Sequence, residues 1–367
     1  MGNKILRIGV VGTGRGAAVA ACGFDNPKCK VVAACDLNER VLAHCKEYFE
    51  SLGQNDVLYL SDYDEMLKMD IDAVVVATEA TQHVPIVKKA FEAGKHVLSE
   101  IPAITKVEEA YELKKIVSEH PDLVYMIGEN CCYWAFIETW KKMRENGEFG
   151  DVVFAEAEYL HAKNPEEFAP DNYPEGHWRT FNPAIKYTTH ELGPLLYVMD
   201  DRCVSVSCMN ADIEYNPYFP KKNDTSIAIF KTEKGAVIKL LVSFGAYTSY
   251  DHNFRLCGTK GSIETDRLKK VDDAHSFANL ASVPGTFANK IEIPVTTAYT
   301  DDYGNVDNSG HGGADVKIFA EFVDCVLENK KPVLDVDFGI GISLPGIVAS
   351  QSAEQGGVNL PIPDLSE

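Results

Sequence analysis

A glycine-rich segment near the N-terminus has the residue types and the spacing that bind a diphosphate group. It reads GTGRGAA over 12–18 and directly follows an apolar run. Gly12 permits a tight turn, and Gly14 lets a diphosphate approach the backbone, with Arg15 beside it. Asp36 ends the next apolar run, near the spacing expected of a carboxylate that binds ribose hydroxyls and repels a 2′-phosphate. The pattern predicts NAD as the cofactor, while an ordinary tight turn is the alternative for the glycines alone.

Four further polar residues follow apolar segments that are typical of strands. They are Thr78, His83, Glu100 and Asn130. Open parallel sheets bind their ligands beyond the carboxyl ends of the strands. We therefore expect these four side chains to contact the cofactor.

The elements that position these residues alternate between strand and helix up to about residue 128. The predicted strand 73–78 is apolar up to its last residue, Thr78, as expected of a strand that is covered on both faces in a parallel sheet. The alternation predicts an α/β fold whose N-terminal domain, over 1–130, is a Rossmann doubly wound parallel sheet.

After this point longer strands follow one another without intervening helices. The predicted strands are 151–161, 203–213, 224–231, 236–245 and 252–258, and the predicted helices are 134–146, 190–199, 314–328 and 339–355. We therefore expect an α+β domain over 131–367, built on a large, mostly antiparallel open sheet, for substrate binding and oligomerisation.

Charge and composition exclude several classes of partner. The 367 residues include 35 Lys and Arg against 55 Asp and Glu, a formal net charge of −20 that repels nucleic acids and anionic membranes. No apolar stretch is long enough to span a membrane, and the first strand-like run begins too early for a secretory signal, so we expect a cytoplasmic protein. The ten cysteines have no zinc-site spacing, so we expect reduced thiols and no metal.

Further motifs follow the glycine-rich segment in order along the chain. They are ATEATQH at 77–83, GKHVLSEIP at 94–102, GEN at 128–130 and GHGGADV at 310–316. Together with Asp36 they resemble the Gfo/Idh/MocA family of NAD(P)-dependent sugar oxidoreductases. The resemblance spans nearly the whole chain and implies a nicotinamide cofactor and a small sugar or glycoside as substrate.

A second set of residues is similar to one branch of that family, the NAD-dependent glycosidases and glycoside 3-dehydrogenases. The matching residues are Glu129, Asn130, Tyr133, Tyr159, Trp178, Arg179, Tyr187, Thr189, His190, Leu192, Gly193 and Pro194. Two positions depart from the wider family, which usually has a lysine where this chain has Ile101 and an aspartate where it has Lys186. The usual proton machinery is therefore not carried over, which argues against a simple polyol or inositol dehydrogenase.

The resemblance implies that His190 takes the proton of a substrate hydroxyl, since imidazole works as a base near neutral pH. The alternative is a histidine that caps the following helix. Tyr187 is expected to share that hydroxyl, with Lys186 as the cation that lowers its pKa. Tyr159 is the implied base for a carbon-2 proton, or else a strand tyrosine that faces the core. The residues expected to bind substrate are Arg179, Glu129, Trp178 and His311.

These residues lead to three hypotheses. The first is an NAD-dependent dehydrogenase that oxidises a ring hydroxyl, at carbon-3, of a sugar or glycoside. The second is an NAD-dependent glycosidase that uses transient carbon-3 oxidation, elimination, hydration and re-reduction. The third is a non-catalytic NAD-binding sensor. The runs SIAIF and IKLLVSF also suggest an apolar sheet face that pairs with another subunit, so we expect a homo-oligomer.

Overall fold

The computed structural model describes residues 4–162, 164, 166, 177–213, 223–268, 275–295, 299–300, 306–307 and 309–365. The chain divides into two compact units. Unit 1 comprises Met1–Glu129 and Gly313–Ile340, and unit 2 comprises Asn130–Gly312 and Gly341–Glu367. Within the described residues, no helix combines the length and the apolarity that a membrane span requires.

Unit 1 is a Rossmann unit with a parallel sheet. Its strands are β1 (Leu6–Val11), β2 (Cys29–Cys35), β3 (Leu58–Leu60), β4 (Ala73–Val76), β5 (His96–Ser99) and β6 (Tyr125–Ile127). Its helices are α1 (Arg15–Ala21), α2 (Glu39–Ser51), α3 (Tyr63–Leu67), α4 (His83–Glu92), α5 (Val107–Ser118) and α10 (Ala314–Glu328).

The six strands lie in the order β3-β2-β1-β4-β5-β6, and every pair is parallel. Every residue of β4 is buried, which explains its unbroken apolar sequence. The strand order reverses between β1 and β4, so their carboxyl ends border the crevice where sheets of this kind bind ligands. The predicted Rossmann fold is confirmed.

The segment 313–340 packs with unit 1, whereas the sequence analysis included it in the domain 131–367. Phe319 of α10 lies so close to Gly23 that an added Cβ there would meet the ring at 2.6 Å. The backbone nitrogen of Ile127 donates a hydrogen bond of 2.9 Å to the carbonyl oxygen of Leu334. These contacts join residues that are distant in sequence, which local periodicity does not reveal.

Unit 2 contains a nine-stranded sheet. Its strands are β7 (Val152–Leu160), β8 (Cys203–Asn210), β9 (Thr225–Thr232), β10 (Val237–Ser243), β11 (Asp251–Gly258), β12 (Gly261–Thr265), β13 (Ser276–Leu280), β14 (Ile291–Ile293) and β17 (Leu360–Pro361). The short strands β15 (Tyr299–Thr300) and β16 (Val306–Asp307) pair separately. The helices are α6 (Ala135–Glu145), α7 (Trp178–Phe181), α8 (Thr189–Met199), α9 (Ser309–Gly312) and most of α11 (Val336–Glu354).

The strand order is β14-β13-β12-β11-β7-β10-β9-β8-β17. Among the pairings that the described residues form, β7 with β10 is parallel and the others are antiparallel, so the predicted mostly antiparallel sheet is confirmed. Helix α8 packs on β7 and β11, and all of its residues are buried. This packing holds the beginning of α8 against the middle of the sheet.

Candidate functional site

The glycine turn after β1 has the geometry that a diphosphate requires. Gly12 has φ of 83°, and an added Cβ would lie 2.4 Å from the carbonyl oxygen of Ala77, so no larger residue fits. Around Gly14, in contrast, no heavy atom of the described residues lies within 4 Å of an added Cβ. Gly16 lets α1 approach β1, since an added Cβ would lie 2.8 Å from Val10. The turn therefore leaves open space beside exposed backbone.

Asp36 lies just after β2, and its carboxylate is held toward this turn. Oδ2 accepts hydrogen bonds from the backbone nitrogen and the hydroxyl of Thr13, at 2.7 Å and 3.1 Å. Oδ1 accepts one from the backbone nitrogen of Asn38 at 2.9 Å. These bonds fix the carboxylate where the ribose of a dinucleotide bound at the glycine turn is expected. The residues present thus fit NAD.

Arg15 begins α1 and is held by two carboxylates. Its Nε lies 3.1 Å from Oε1 of Glu100, and its Nη2 lies 2.8 Å from Oδ1 of Asp315. Burial opposes the charge, but the two carboxylates outweigh it and raise the pKa of Arg15 above its usual value. Arg15 and Glu100, both expected to contact the cofactor, are therefore paired with each other.

The ring of His83 is buried between two loops of unit 1, with only 1% of the residue exposed. Nδ1 lies 2.9 Å from the carbonyl oxygen of Pro102, and Nε2 lies 3.1 Å from that of Thr78. Burial lowers the pKa of His83, so the ring is neutral and one of its two nitrogens donates. The ring is enclosed and ties the loop after β4 to the loop after β5, and its direct contact with the cofactor stays a prediction. The Thr78 hydroxyl donates to the Glu79 carbonyl at 3.4 Å.

In unit 2, three residues with expected chemical roles lie together. The ring centroid of His190 lies 5.7 Å from that of Tyr159 and 5.3 Å from that of Tyr187, both edge to face. Tyr159 and Tyr187 stack at 6.2 Å. His190 is the second residue of α8, whose N-cap is Thr188, so it is not the helix cap. Tertiary packing of β7 and α8 assembles this cluster from separate motifs.

Two residues that the sequence did not point to, His252 and Glu191, form a buried pair beside Tyr159. His252 of β11 stacks on Tyr159, with ring centroids 4.4 Å apart. Its Nδ1 lies 2.8 Å from Oε1 of Glu191, and its Nε2 lies 2.9 Å from the hydroxyl of Tyr250. A carboxylate only accepts, so Nδ1–H donates to Glu191 and Nε2 accepts the Tyr250 hydroxyl. One sequence signal existed, because Glu191 lies in a mostly apolar helix, where a buried carboxylate requires a polar partner.

Burial shifts the proton affinities of this cluster in opposite directions. The pKa of His252 is lowered well below 6.5, mainly by burial and then by the nearby His190, His311 and His161, so its ring is neutral. Burial first, and then nearby groups including Tyr187, raise the pKa of Tyr159 well above 10. The Tyr159 hydroxyl therefore keeps its proton at neutral pH.

Of the residues expected to bind substrate, Glu129 and Trp178 are buried, whereas Arg179 and His311 are half-buried. Trp178 is 8% exposed and stacks on Tyr187 with centroids 6.3 Å apart. The guanidinium carbon of Arg179 lies 4.6 Å from the centre of the Trp178 ring, so the cation covers one face of the indole. Glu129 is the last residue of unit 1 and is fully buried.

Arg179 places a cation near Tyr187. The guanidinium carbon of Arg179 lies 6.0 Å from the centre of the Tyr187 ring. Lys186 ends the short 3₁₀ turn Ala184–Lys186, and its side chain has no hydrogen bond, ion pair or ring contact with any residue in the described part of the chain. The assistance of Tyr187 by Lys186 stays a prediction, and Arg179 is a second cation near the Tyr187 ring.

Asn130, expected to contact the cofactor, forms two hydrogen-bond contacts inside unit 2. Its Nδ2 lies 2.9 Å from Nδ1 of His311, and its Oδ1 lies 3.4 Å from Sγ of Cys131. The same Sγ lies 3.2 Å from Nδ1 of His190. A chain of polar contacts therefore links the two histidines, whose ring centroids are 6.4 Å apart. His311 thereby joins the cluster of unit 2.

Three family models match the chain. Residues 6–128 match the model described as "Oxidoreductase family, NAD-binding Rossmann fold", and residues 137–264 match "GFO/IDH/MocA C-terminal domain". Residues 205–367 match "Glycosyl hydrolase 109, C-terminal domain". Unit 1 is accordingly an NAD-binding domain.

Curated relatives and solved structures extend this result. The chain is 29% identical to Glycosyl hydrolase family 109 protein 3 of Phocaeicola vulgatus, over 91% of this chain and 68% of that protein. It is 27% identical to a Glycosyl hydrolase family 109 protein of Solibacter usitatus, over 99% and 89%. The fold is similar to levoglucosan dehydrogenase in complex with NADH and levoglucosan (TM-score 0.82, 19% identity, 98% and 100% covered) and to myo-inositol 2-dehydrogenase of Lactobacillus plantarum (0.77, 20%, 98% and 100%).

Proposed function

The chain belongs to the Gfo/Idh/MocA family of oxidoreductases, and from this premise we propose that it oxidises a ring hydroxyl, at carbon-3, of a sugar or glycoside. The observation that carries the proposal is the cluster of His190, Tyr159 and Tyr187, three residues with acid–base chemistry that come from separate parts of the chain. A non-catalytic sensor would have no need of such a cluster.

Oxidation of an alcohol requires loss of a hydride from carbon and loss of a proton from oxygen. When bound, NAD supplies the hydride acceptor and, once reduced, a hydride donor, and Gly12, Gly14 and Asp36 would hold it. His190 takes the hydroxyl proton, because an imidazole can act as a general base, and its Nδ1 lies 3.2 Å from Sγ of Cys131. Tyr187, edge-on to His190, shares the same hydroxyl.

We further propose that oxidation leads to cleavage of the glycosidic bond. The support is the match of residues 205–367 to the glycosyl hydrolase 109 C-terminal domain, together with the names of the relatives. A ketone at carbon-3 acidifies the hydrogen on carbon-2, and loss of that proton expels the group at carbon-1. Water then adds at carbon-1, and reduction of the ketone leaves a net hydrolysis.

In this scheme Tyr159 is the base at carbon-2, and Arg179 stabilises the negative charge of the enolate. The raised pKa of Tyr159 means that only a small fraction of this side chain is phenolate at neutral pH. The elimination step therefore accelerates as the pH rises.

The two outcomes of the oxidation, hydrolysis and net dehydrogenation, are separated by one assay. The purified protein is incubated with NAD and a panel of aryl glycosides, while NADH absorbance and aglycone release are followed together. Aglycone release without accumulating NADH is the expected result. A stable 3-keto glycoside with one NADH per turnover supports the dehydrogenase instead. Absence of both products across the panel, with NAD bound, refutes an enzymatic function.

We also propose that the protein is a cytoplasmic homo-oligomer that pairs through the sheet of unit 2. Burial alternates along β9, where Ala228 and Phe230 are buried but Ile227 and Ile229 are 48% and 44% exposed. A second copy of the chain would remove such an apolar face from water. Light scattering at micromolar concentration tests this, and a monomer contradicts it.

A further inference from the structure

Both ring nitrogens of His83 face backbone carbonyl oxygens. Nδ1 lies 2.9 Å from the oxygen of Pro102, and Nε2 lies 3.1 Å from the oxygen of Thr78. A carbonyl oxygen only accepts hydrogen bonds, and a neutral imidazole has one N–H donor, whereas the imidazolium has two. The neutral ring therefore satisfies one of the two oxygens and turns a lone pair toward the other. Since the residue is 1% exposed, bulk water does not screen that second contact.

The two loops that this ring joins both contact the glycine turn. An added Cβ on Gly12 would lie 2.4 Å from the carbonyl oxygen of Ala77 and 2.6 Å from the backbone nitrogen of Thr78, so the loop after β4 packs directly on the turn. In the loop after β5, Oε1 of Glu100 lies 3.1 Å from Nε of Arg15. The positions of both loops therefore bear on the residues that would hold the diphosphate of NAD.

Burial and nearby charge act on the ring in opposite directions. Burial opposes the imidazolium and lowers the pKa of His83, so the ring is neutral at neutral pH before NAD binds. The two carbonyl oxygens and then the carboxylate of Glu109, in α5, favour the charged ring. Lys106 lies 3.4 Å from Glu109 and offsets part of this effect. An additional negative charge near the loops shifts the balance toward the imidazolium.

From these contacts we infer that His83 is a positioning residue for NAD, whose ring takes up a proton from solvent when NAD binds. The diphosphate brings negative charge to the glycine turn. The imidazolium then donates from both nitrogens, to Thr78 and Pro102, and holds the two loops together. Linkage is reciprocal, so the protonated ring increases the affinity for NAD by the same factor as NAD increases the affinity for the proton. This action passes through the loops and requires no contact between ring and cofactor.

A histidine with a purely structural role would keep one protonation state whether or not NAD is bound. His96 provides the matched control in unit 1. Its Nδ1 accepts a hydrogen bond of 2.9 Å from the backbone nitrogen of Val124, so that nitrogen carries no hydrogen. Burial also lowers the pKa of His96. His96 begins β5, whereas Pro102 follows the end of that strand, so His96 lies away from the two loops.

The test is calorimetry of NAD binding to the full-length protein at neutral pH, in two buffers whose ionisation enthalpies differ. The difference between the two observed enthalpies gives the number of protons taken up. We expect a substantial fraction of a proton per NAD for the unaltered protein and for His96→Gln, and a clearly smaller uptake for His83→Gln. No uptake by the unaltered protein, or an equal uptake by His83→Gln, overturns the inference. No sugar is present, so the result stands apart from the proposed reaction.

The affinity of the unaltered protein supplies a second measurement, which needs no variant. Its Kd for NAD should fall at least about fivefold as the pH is lowered from about 8 to about 6, because proton uptake makes binding tighter in acid. His83→Gln and the shorter His83→Asn are uncharged at every pH, so whichever of them folds should show a weaker dependence. A Kd that is constant, or that rises as the pH falls, contradicts the inference.

Nitrogen NMR measures the ring itself. In the full-length protein labelled with ¹⁵N-histidine, the His83 signals are assigned by their absence from the folded variant. At neutral pH, addition of NAD should change these signals from one protonated nitrogen to two, while the His96 ring keeps a single protonated nitrogen. A His83 ring that retains one hydrogen with NAD bound overturns the inference.

Discussion

The buried pair of Glu191 and His252 determines how firmly unit 2 holds Tyr159 and His190. The two side chains are 0% and 1% exposed, and Nδ1 lies 2.8 Å from Oε1. Because the His252 ring is neutral, the contact is a hydrogen bond to a carboxylate, and removal of the donor from a buried charged acceptor costs more than the about 1–3 kcal/mol that a neutral acceptor loses. We therefore expect His252→Ala to destabilise unit 2 by about 4 kcal/mol. Glu191→Gln keeps an oxygen acceptor for Nδ1–H and should cost only about 1 kcal/mol.

The double variant makes this expectation sharp. Loss of the His252 donor costs less when the acceptor is a neutral amide than when it is a carboxylate. The double variant should therefore cost about 3 kcal/mol, which is about 2 kcal/mol less than the sum of the two single costs. All three tryptophans of the chain, at 134, 140 and 178, belong to unit 2. Their fluorescence during urea unfolding therefore reports this unit. Costs that add within about 0.5 kcal/mol refute the reasoning.

Three further predictions concern the cofactor, the base and pH. Asp36→Ala should weaken NAD binding about 10- to 100-fold in calorimetry through loss of charge-assisted hydrogen bonds, and an unchanged Kd contradicts the assignment. Tyr159→Phe should abolish aglycone release while single-turnover NADH formation persists. In the unaltered protein the rate of aglycone release should rise about tenfold per pH unit above neutrality. A rate that does not change with pH excludes Tyr159 as the base. The pKa of His252 is lower in the folded protein than in the unfolded chain, so on acidification the unfolded chain binds a proton first. The free energy of unfolding of unit 2 should therefore fall by up to about 1.4 kcal/mol per pH unit below pH 6.5. In His252→Gln this slope should be flatter.

Local patterns predicted most of the fold. The helix predicted at 314–328 is α10, and the one predicted at 190–199 is α8, which begins one residue earlier at Thr189. Periodicity and turn residues act within a short window, so they determine element type and approximate ends. The association of α10 with unit 1 depends on contacts such as Phe319 with Gly23, which no local window contains.

The site was predicted less completely, for the same reason. His252 and Glu191 are 61 positions apart, and Asn130 and His311 are 181 apart, so their pairing is a property of the tertiary structure. Adjacency in sequence suggested Lys186 as the partner of Tyr187, and it gave no sign that the guanidinium carbon of Arg179 lies 6.0 Å from the centre of that ring. Motifs identified the residues with reactive groups, and packing decided which of them meet.

Reaction in heavy water tests the central claim most directly. If a carbon-3 hydroxyl is oxidised before the glycosidic bond breaks, the acidified carbon-2 hydrogen exchanges with solvent. The sugar recovered from an aryl glycoside should then carry deuterium at carbon-2 and none at carbon-3, as measured by NMR. Release of the aglycone with no deuterium at carbon-2 would contradict transient oxidation.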